Sequence, residues 1–250
     1  MEPKLSVITI VYNNVKDIER SLRSVINQTY RNIEYIVVDG ASTDGTKEII
    51  EKYTPSLSLF ISEPDQGIYD AMNKGLALAT GDYVLFMNSG DEIFSHDTVA
   101  NVFASSSNPA DVYYGETEMF NNNWESLGKR RHQTPENFNW KSFKYGMSIS
   151  HQAIYIKRSL TTPYDLKYRY SADIDWIIKA AKKASVIVNT HMYVAKYLVG
   201  GVSKQKHLAS LKERFHIFTK HYGLVHNVVN HFVIGINIAI YFIKHRRTND

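Results

Sequence analysis

The feature that most constrains this chain is that its strand-forming runs do not alternate. Residues 5–11 (LSVITIV), 34–39 (EYIVVD) and 83–87 (YVLFM) are apolar at nearly every position. A strand that is apolar on both sides has to be covered on both faces. Between these runs lie segments of helical period: 15–28, with Ile18, Leu22, Val25 and Ile26 on one side, then 46–53 and 70–79. Residues 58–62 read as a further short strand. Strand and helix in alternation predict an α/β fold, a mainly parallel sheet flanked by helices and Rossmann-like in outline. Such sheets bind ligands outside the carboxyl ends of their strands. Chemistry is therefore sought after Val11, Val38, Ser62 and Met87.

Beyond residue 97 the pattern weakens. Strands are expected at 111–114, 150–157 and 185–189, and helices at 173–183 and 207–221. Residues 121–139 are polar and turn-rich, as in a substrate loop or an irregular subdomain. There are no cysteines, which excludes disulfides, thiolate metal sites and a cysteine nucleophile. A net charge of +4 is too mild to argue for nucleic acid and suits anionic small molecules or a lipid surface. No secretory pattern precedes the first strand, so a cytoplasmic location is expected.

Three polar clusters follow the strands. Asp39 stands too early to cap the next helix, and a carboxylate there can accept from an imide N–H such as that of uracil; Ser42, Thr43 and Asp44 read as helix caps. In residues 63–75 (EPDQGIYDAMNKG), Gly67 frees the backbone, Asp70 and Asn73 share a helix face, and Lys74 is placed to meet a phosphate. A loop, a cap and a solvated face would produce the same run. In residues 88–92 (NSGDE), Asp91 supported by Asn88 or Glu92 can hold a hard divalent cation that bridges two phosphates. A capped turn is the plainer reading.

Taken in order, these segments carry a resemblance. Residues 6–13 (SVITIVYN), 24–30 (SVINQTY) and 37–46 (VVDGASTDGT) closely resemble family 2 glycosyltransferases of the GT-A fold. The match continues through 63–75, 80–83 (TGDY) and 87–91 (MNSGD), and more weakly through 114–116 (YGE), 150–152 (SHQ), 171–175 (SADID) and 200–203 (GGVS). It spans about the first four-fifths of the chain. The resemblance implies an inverting transfer of sugar from a nucleotide diphosphate donor, UDP by family habit, with Mn2+ or Mg2+. The implied acceptor is a glycan or a lipid-linked sugar, in synthesis of cell-surface polysaccharide or lipopolysaccharide.

Residue by residue, the resemblance implies that Asp39 reads the base, with Tyr12 and Asn13 in the same pocket. Thr9, Asp65, Gly67, Asn73, Lys74, Asn88 and Ser89 fall on the nucleotide side, and Asp91 on the metal. Asp173 matches the general base, with Asp175 in reserve; two residues apart on a helix, only one of them faces inward. His151, Gln152 and Arg130 fall towards the acceptor. The chain departs from the family pattern at Asn88 and Gly90, where acidic residues are common, and at Gly40, where a second aspartate often stands. Residues 1–95 would form a nucleotide-binding half, 96–205 an acceptor-binding and catalytic half, and 206–250 a helical extension. A non-catalytic nucleotide-sugar-binding or scaffold protein is the alternative, suggested by the thinned 88–91 motif. A dinucleotide-dependent dehydrogenase is disfavoured, because no Gly-x-Gly-x-x-Gly follows the first strand.

The extension has its own signature. Residues 224–243 carry no formal charge, yet His226, Asn227, Asn230, His231 and Asn237 gather on one side of a helix, and 244–247 (KHRR) follow. Such a helix is amphipathic rather than spanning. It suits peripheral contact with an anionic leaflet, at the inner face of the cell membrane. Packing of the apolar face against the domain or a second copy is the other use left open.

Overall fold

The computed structural model describes residues 2–130, 134–200 and 207–246. Its first part follows the strand–helix alternation: β1 (Leu5–Val11), α1 (Ile18–Ile26), β2 (Ile33–Asp39), α2 (Thr46–Tyr53), β3 (Leu59–Ser62), α3 (Ile68–Leu78) and β4 (Tyr83–Phe86). Then come β5 (Glu92–Ile93), α4 (Thr98–Ala104), β6 (Val112–Phe120), β7 (Ser126–Lys129), β8 (Ile154–Lys157), α5 (Ala172–Lys183), β9 (Ile187–Leu198), α6 (His207–Tyr222) and α7 (Leu224–Arg246). The strands form one sheet in the order β3-β2-β1-β4-β8-β6-β9-β5, with β7 also paired to β6. β1 to β4 are parallel, whereas β8 runs antiparallel to both β4 and β6.

Unbroken apolar runs feed two cores, one on each face. Ile8, Ile10, Ile36, Val38, Val84 and Phe86 pack with α3 and α5 through Met72, Ile174 and Ile177. Leu5, Val7, Val37 and Leu85 pack with α1, α2 and α4 through Ile18, Leu22, Ile50 and Val99. α3 lies close on β1, because Gly75 presents no side chain where Ile8 Cγ2 stands.

The second half is longer and more irregular than its sequence suggests. β6 and β9 run well beyond 111–114 and 185–189 and pair in parallel, with a register shift just after Tyr114. At that shift Gly115 lets the two backbones approach; a Cβ there would lie 2.6 Å from the Met192 carbonyl oxygen. α4, β5 and β7 were not expected. The 150–157 strand begins with a 3-10 turn at His151–Ala153. The expected 205/206 boundary lies outside the described residues.

α6 and α7 form a hairpin joined at Gly223, whose φ of +84° is left-handed. Of the polar side of α7, Asn227, Asn230 and His231 turn inward, while His226 is exposed. Asn227 is fully buried, its Nδ2 donating to the Phe215 carbonyl and Thr219 Oγ1 at 2.9 Å each, and the His231 ring packs on Phe215. The apolar side faces out, with Val225 75% exposed, Phe232 72%, and Leu224, Val228 and Val229 also exposed. No helix among the described residues is long and apolar enough to cross a membrane.

Gly75→Ala should destabilise the fold by about 1–3 kcal/mol through overpacking on Ile8, although alanine is the better helix former by ~1 kcal/mol. Denaturant unfolding checks this as a lower midpoint at unchanged slope.

Candidate active site

At the carboxyl edge of β1 and β2 the loops are tied by side chains. Asn13 adopts a φ of 47°, which asparagine tolerates, and its Oδ1 accepts from the Thr43 N–H at 2.9 Å. Asp44 accepts from the N–H groups of Val15 and Thr46, both at 3.0 Å, so it ties the start of α2 to the β1 loop, while Gly45 rather than Asp44 holds the cap position. The Thr46 hydroxyl, followed by these N–H groups, holds its carboxyl below the usual range against burial.

Asp39 ends β2 and is fully buried. Its oxygens accept from the Ser42 N–H and hydroxyl and from the Ser62 hydroxyl at 2.7 Å. The carboxylate facing open space here is Asp65. With Tyr12, Asn14, Gly67, Ile68, Asn88 and Ser89 it lines a cavity of 300 Å³. Gly40 makes room for it, since a Cβ there would collide with the Asp65 carboxylate and crowd the Tyr12 ring at 3.3 Å. The aspartate missing after Asp39 is thus replaced in space by one from the β3–α3 loop.

This cavity runs on into a cleft of 540 Å³ lined by Tyr12, Asn13, Asn88, Ser89, Asp91, His151 and Tyr197. Asn14 Nδ2 donates to Ser89 Oγ at 2.9 Å and fixes the floor. Asp91 is 6% exposed; Gln152 Nε2 donates to it at 3.0 Å and the Leu198 N–H at 3.2 Å. Burial pushes its carboxyl up to about 7, while His151 and the Leu198 N–H pull the other way. Nearby, Asn88 Oδ1 is buried with no hydrogen-bond partner among the described residues. An orphaned carbonyl oxygen beside a desolvated carboxylate fits a hard cation. Among the described residues no three His, Asp or Glu side chains cluster, so such an ion would take its remaining ligands from phosphate oxygens and water.

His151 joins this region to α5. Asn88 Nδ2 lies 3.0 Å from His151 Nε2, and His151 Nδ1 lies 3.5 Å from Asp173 Oδ2. With the amide donating, Nε2 accepts and the ring proton sits on Nδ1, towards Asp173. Tyr69 donates to Asp173 Oδ1 at 3.1 Å. Burial would raise the Asp173 carboxyl, but His151, the Arg214 charge and the Tyr69 hydroxyl hold it below the usual range. Tyr69 stacks on Tyr164, and Tyr164 on Trp176 at 5.0 Å, so the aromatic rings align α3 with α5.

Several expected residues lie elsewhere. Thr9 is buried inside the sheet, bonded to the Tyr35 hydroxyl and the Met87 carbonyl, because its side chain points into the α1 layer rather than off the strand end. Asn73 clasps the Tyr164 backbone through both amide atoms. Lys74 is taken up by Glu63 and the Pro64 carbonyl. Gln152 grips Asp91 rather than facing an acceptor. Asp175 turns away into ion pairs with Lys179, Lys220 and His221 at 2.7–3.0 Å. Those hydrogen bonds overcome burial and keep its carboxyl well below the usual range. Arg130 donates to Ser150 Oγ at 2.6 Å. Residues 201–203 of the last matched motif lie outside the described residues. Tyr69, Tyr170, Tyr197 and Arg169 line the cleft without having been singled out. Of these only Tyr69 lay within a flagged motif.

A mixed sheet whose parallel half opens at its carboxyl edge on a 540 Å³ cleft, with buried carboxylates beside it, is an architecture that its relatives place among glycosyltransferases. The chain belongs to glycosyl transferase family 2, whose model matches residues 6–162. It is 34% identical over 211 residues to a PGL/p-HBAD biosynthesis glycosyltransferase of Mycobacterium tuberculosis, covering 80% of this chain and 79% of that one. It is 25% identical over 240 residues to WfgD of Escherichia coli, a UDP-Glc:alpha-D-GlcNAc-diphosphoundecaprenol beta-1,3-glucosyltransferase, covering 93% of each. The S. aureus TarS structure in complex with UDP-GlcNAc superposes with a TM-score of 0.69 at 22% identity, over 92% of this chain and 73% of that one.

Asp175→Asn should cost stability, about 2 kcal/mol, less than the ~3–5 of a fully enclosed pair because Lys179 and Lys220 are part exposed. Since the folded carboxyl titrates below its unfolded value near 3.8, its stabilisation is present above that pH and fades as pH falls through and below it. Acid unfolding of the variant should therefore be flatter below pH ~4 than that of the parent.

Proposed function

We propose that the chain transfers a sugar from a nucleoside diphosphate donor to a hydroxyl of a glycan or lipid-linked acceptor, with inversion at the anomeric carbon. One observation carries this reading: Asp173 stands just behind the cleft, 13% exposed, held from both sides by Tyr69 and His151, which line it, with Asp91 and Asn88 beyond the histidine. Uracil in the donor is supported by the carboxylate-lined base end, where Asp65 faces the slot and Asp39 stiffens its wall. The UDP-Glc named for WfgD is consistent with it.

The diphosphate lies along Asn88 and Ser89. A divalent cation held by Asp91 and Asn88 would supply positive charge to the departing nucleoside diphosphate. Arg169, exposed at the cleft rim, adds to that charge. Across the sugar, Asp173 takes the proton of the attacking hydroxyl, with Tyr69 on Oδ1 and His151 on Oδ2 fixing the plane of the carboxylate. General-base catalysis of this kind contributes ~10²–10⁴-fold. Asp173→Asn should lower turnover by about that factor while donor affinity stays within roughly twofold. Rapid-quench turnover and donor titration measure both, and unchanged turnover would remove Asp173 from the role. Release of nucleoside diphosphate with added Mn2+, lost in Asp91→Ala, separates this reading from a purely binding one.

A second proposal concerns the hairpin. The outward apolar side of α7, followed in sequence by 244–247 (KHRR), supports docking on an anionic bilayer at the inner face of the cell membrane. The enzyme should co-float with vesicles containing phosphatidylglycerol and not with phosphatidylcholine alone. Val228→Glu/Phe232→Glu should abolish flotation. A dimer in sedimentation that the same pair of substitutions dissolves, without vesicle binding, would assign the face to a second copy instead.

A further inference from the structure

Two guanidinium groups beside Asp173 are left over from the scheme above. Arg130 follows β7, and Arg214 lies on the α6 face that covers the start of α5. There Glu213 accepts from the N–H groups of Arg169 and Tyr170 at 2.8 Å, and Ser171 meets Ser210 at 2.9 Å. Arg130 reaches Ser150, next to His151, and Arg214 lies one turn beyond Ser210, which meets Ser171, so the two approach Asp173 from two sides; their charges oppose each other, and Asp173 and Glu116 attract Arg130. Neither makes an ion pair with a carboxylate among the described residues: Arg130 is held by the Ser150 hydroxyl and more loosely by the Met147 carbonyl at 3.5 Å. Arg214 Nε is buried and has no hydrogen-bond partner among the described residues. Neither lines the donor cleft.

Two like charges held together with donors unused are unfavourable unless something anionic sits between them. Asp173 and Glu116 are the carboxylates that draw Arg130, yet neither pairs with it, and the Asp173 oxygens already accept from Tyr69 and approach His151. Guanidinium forks suit phosphate oxygens, which they meet in bidentate fashion. We propose that Arg130 and Arg214 form a phosphate subsite on the acceptor side of Asp173. It takes a phosphate or diphosphate ester attached to the acceptor sugar, so that one sugar ring spans from the subsite to the base. This rests on the transfer reading for its purpose, though not for its test. The two arginines select the acceptor and orient the hydroxyl that Asp173 deprotonates.

Inorganic pyrophosphate, titrated calorimetrically into the full chain in EDTA, probes the subsite without metal or turnover. Binding should weaken at least tenfold in Arg214→Gln and in Arg130→Gln, and persist in Asp91→Asn and Asp65→Asn, which alter the donor cleft. Arg214→Lys, which keeps the charge but loses the fork, should bind with intermediate affinity, and circular dichroism should show each variant folded. Absent binding, binding indifferent to both arginines, or binding that follows Asp91 or Asp65 would overturn the proposal. Loss of the Asp173 turnover effect would leave this result standing, so the two readings fail separately.

Discussion

A carboxylate removed from water has to be met by donors, and this fold is organised around meeting that demand three times. Asp39, Asp91 and Asp173 are each buried or nearly so, and none is satisfied by its own element alone. Ser62 of β3 serves Asp39, Gln152 and the Leu198 N–H serve Asp91, and Tyr69 of α3 serves Asp173. Each bond crosses between segments distant in sequence. Desolvating a charge without these partners would cost far more than a hydrogen bond returns. The cleft therefore closes in one arrangement, and its polar groups double as the ties between the two halves of the sheet.

The division of labour between those halves follows from strand direction. The parallel half leaves its loops at one edge, where short turns and cross-loop ties such as Asp44 set their shape. The other half approaches through the antiparallel β8 and brings in His151 and Gln152 on the 3-10 turn just before the strand. α5 then aims its first turn at the same edge, and the Tyr69–Tyr164–Trp176 stack sets its distance from α3. Asn73 supports that stack by holding the Tyr164 backbone.

Much of this was legible in the sequence, for local reasons. Non-alternating strands and helical periods announce the β1–β4 half because each element declares itself within its own residues. β6 and β9 were underestimated because their far portions are only half covered and owe their strand character to each other. Residue type and spacing located the polar clusters but not their direction. Thr9 and Lys74 look like ligands on paper and serve as ties in space. Asp173 and Asp175 differ by two positions, and only the packing of α6 decides that the second is consumed by Lys220 and His221. Arg214 carried no motif; what distinguishes it is an unmet donor, which only coordinates reveal.

The terminal hairpin is mechanically coupled to the cleft. α6 grips residues 169 and 170 through Glu213 and anchors α5 through Lys220 and His221, while α7 grips α6 through Asn227. It is thus a lever with one arm on α5 and the other on the molecule's exterior. A load placed on its outer ribbon would therefore be felt at the rim of the cleft, through Glu213 and the backbone of residues 169 and 170.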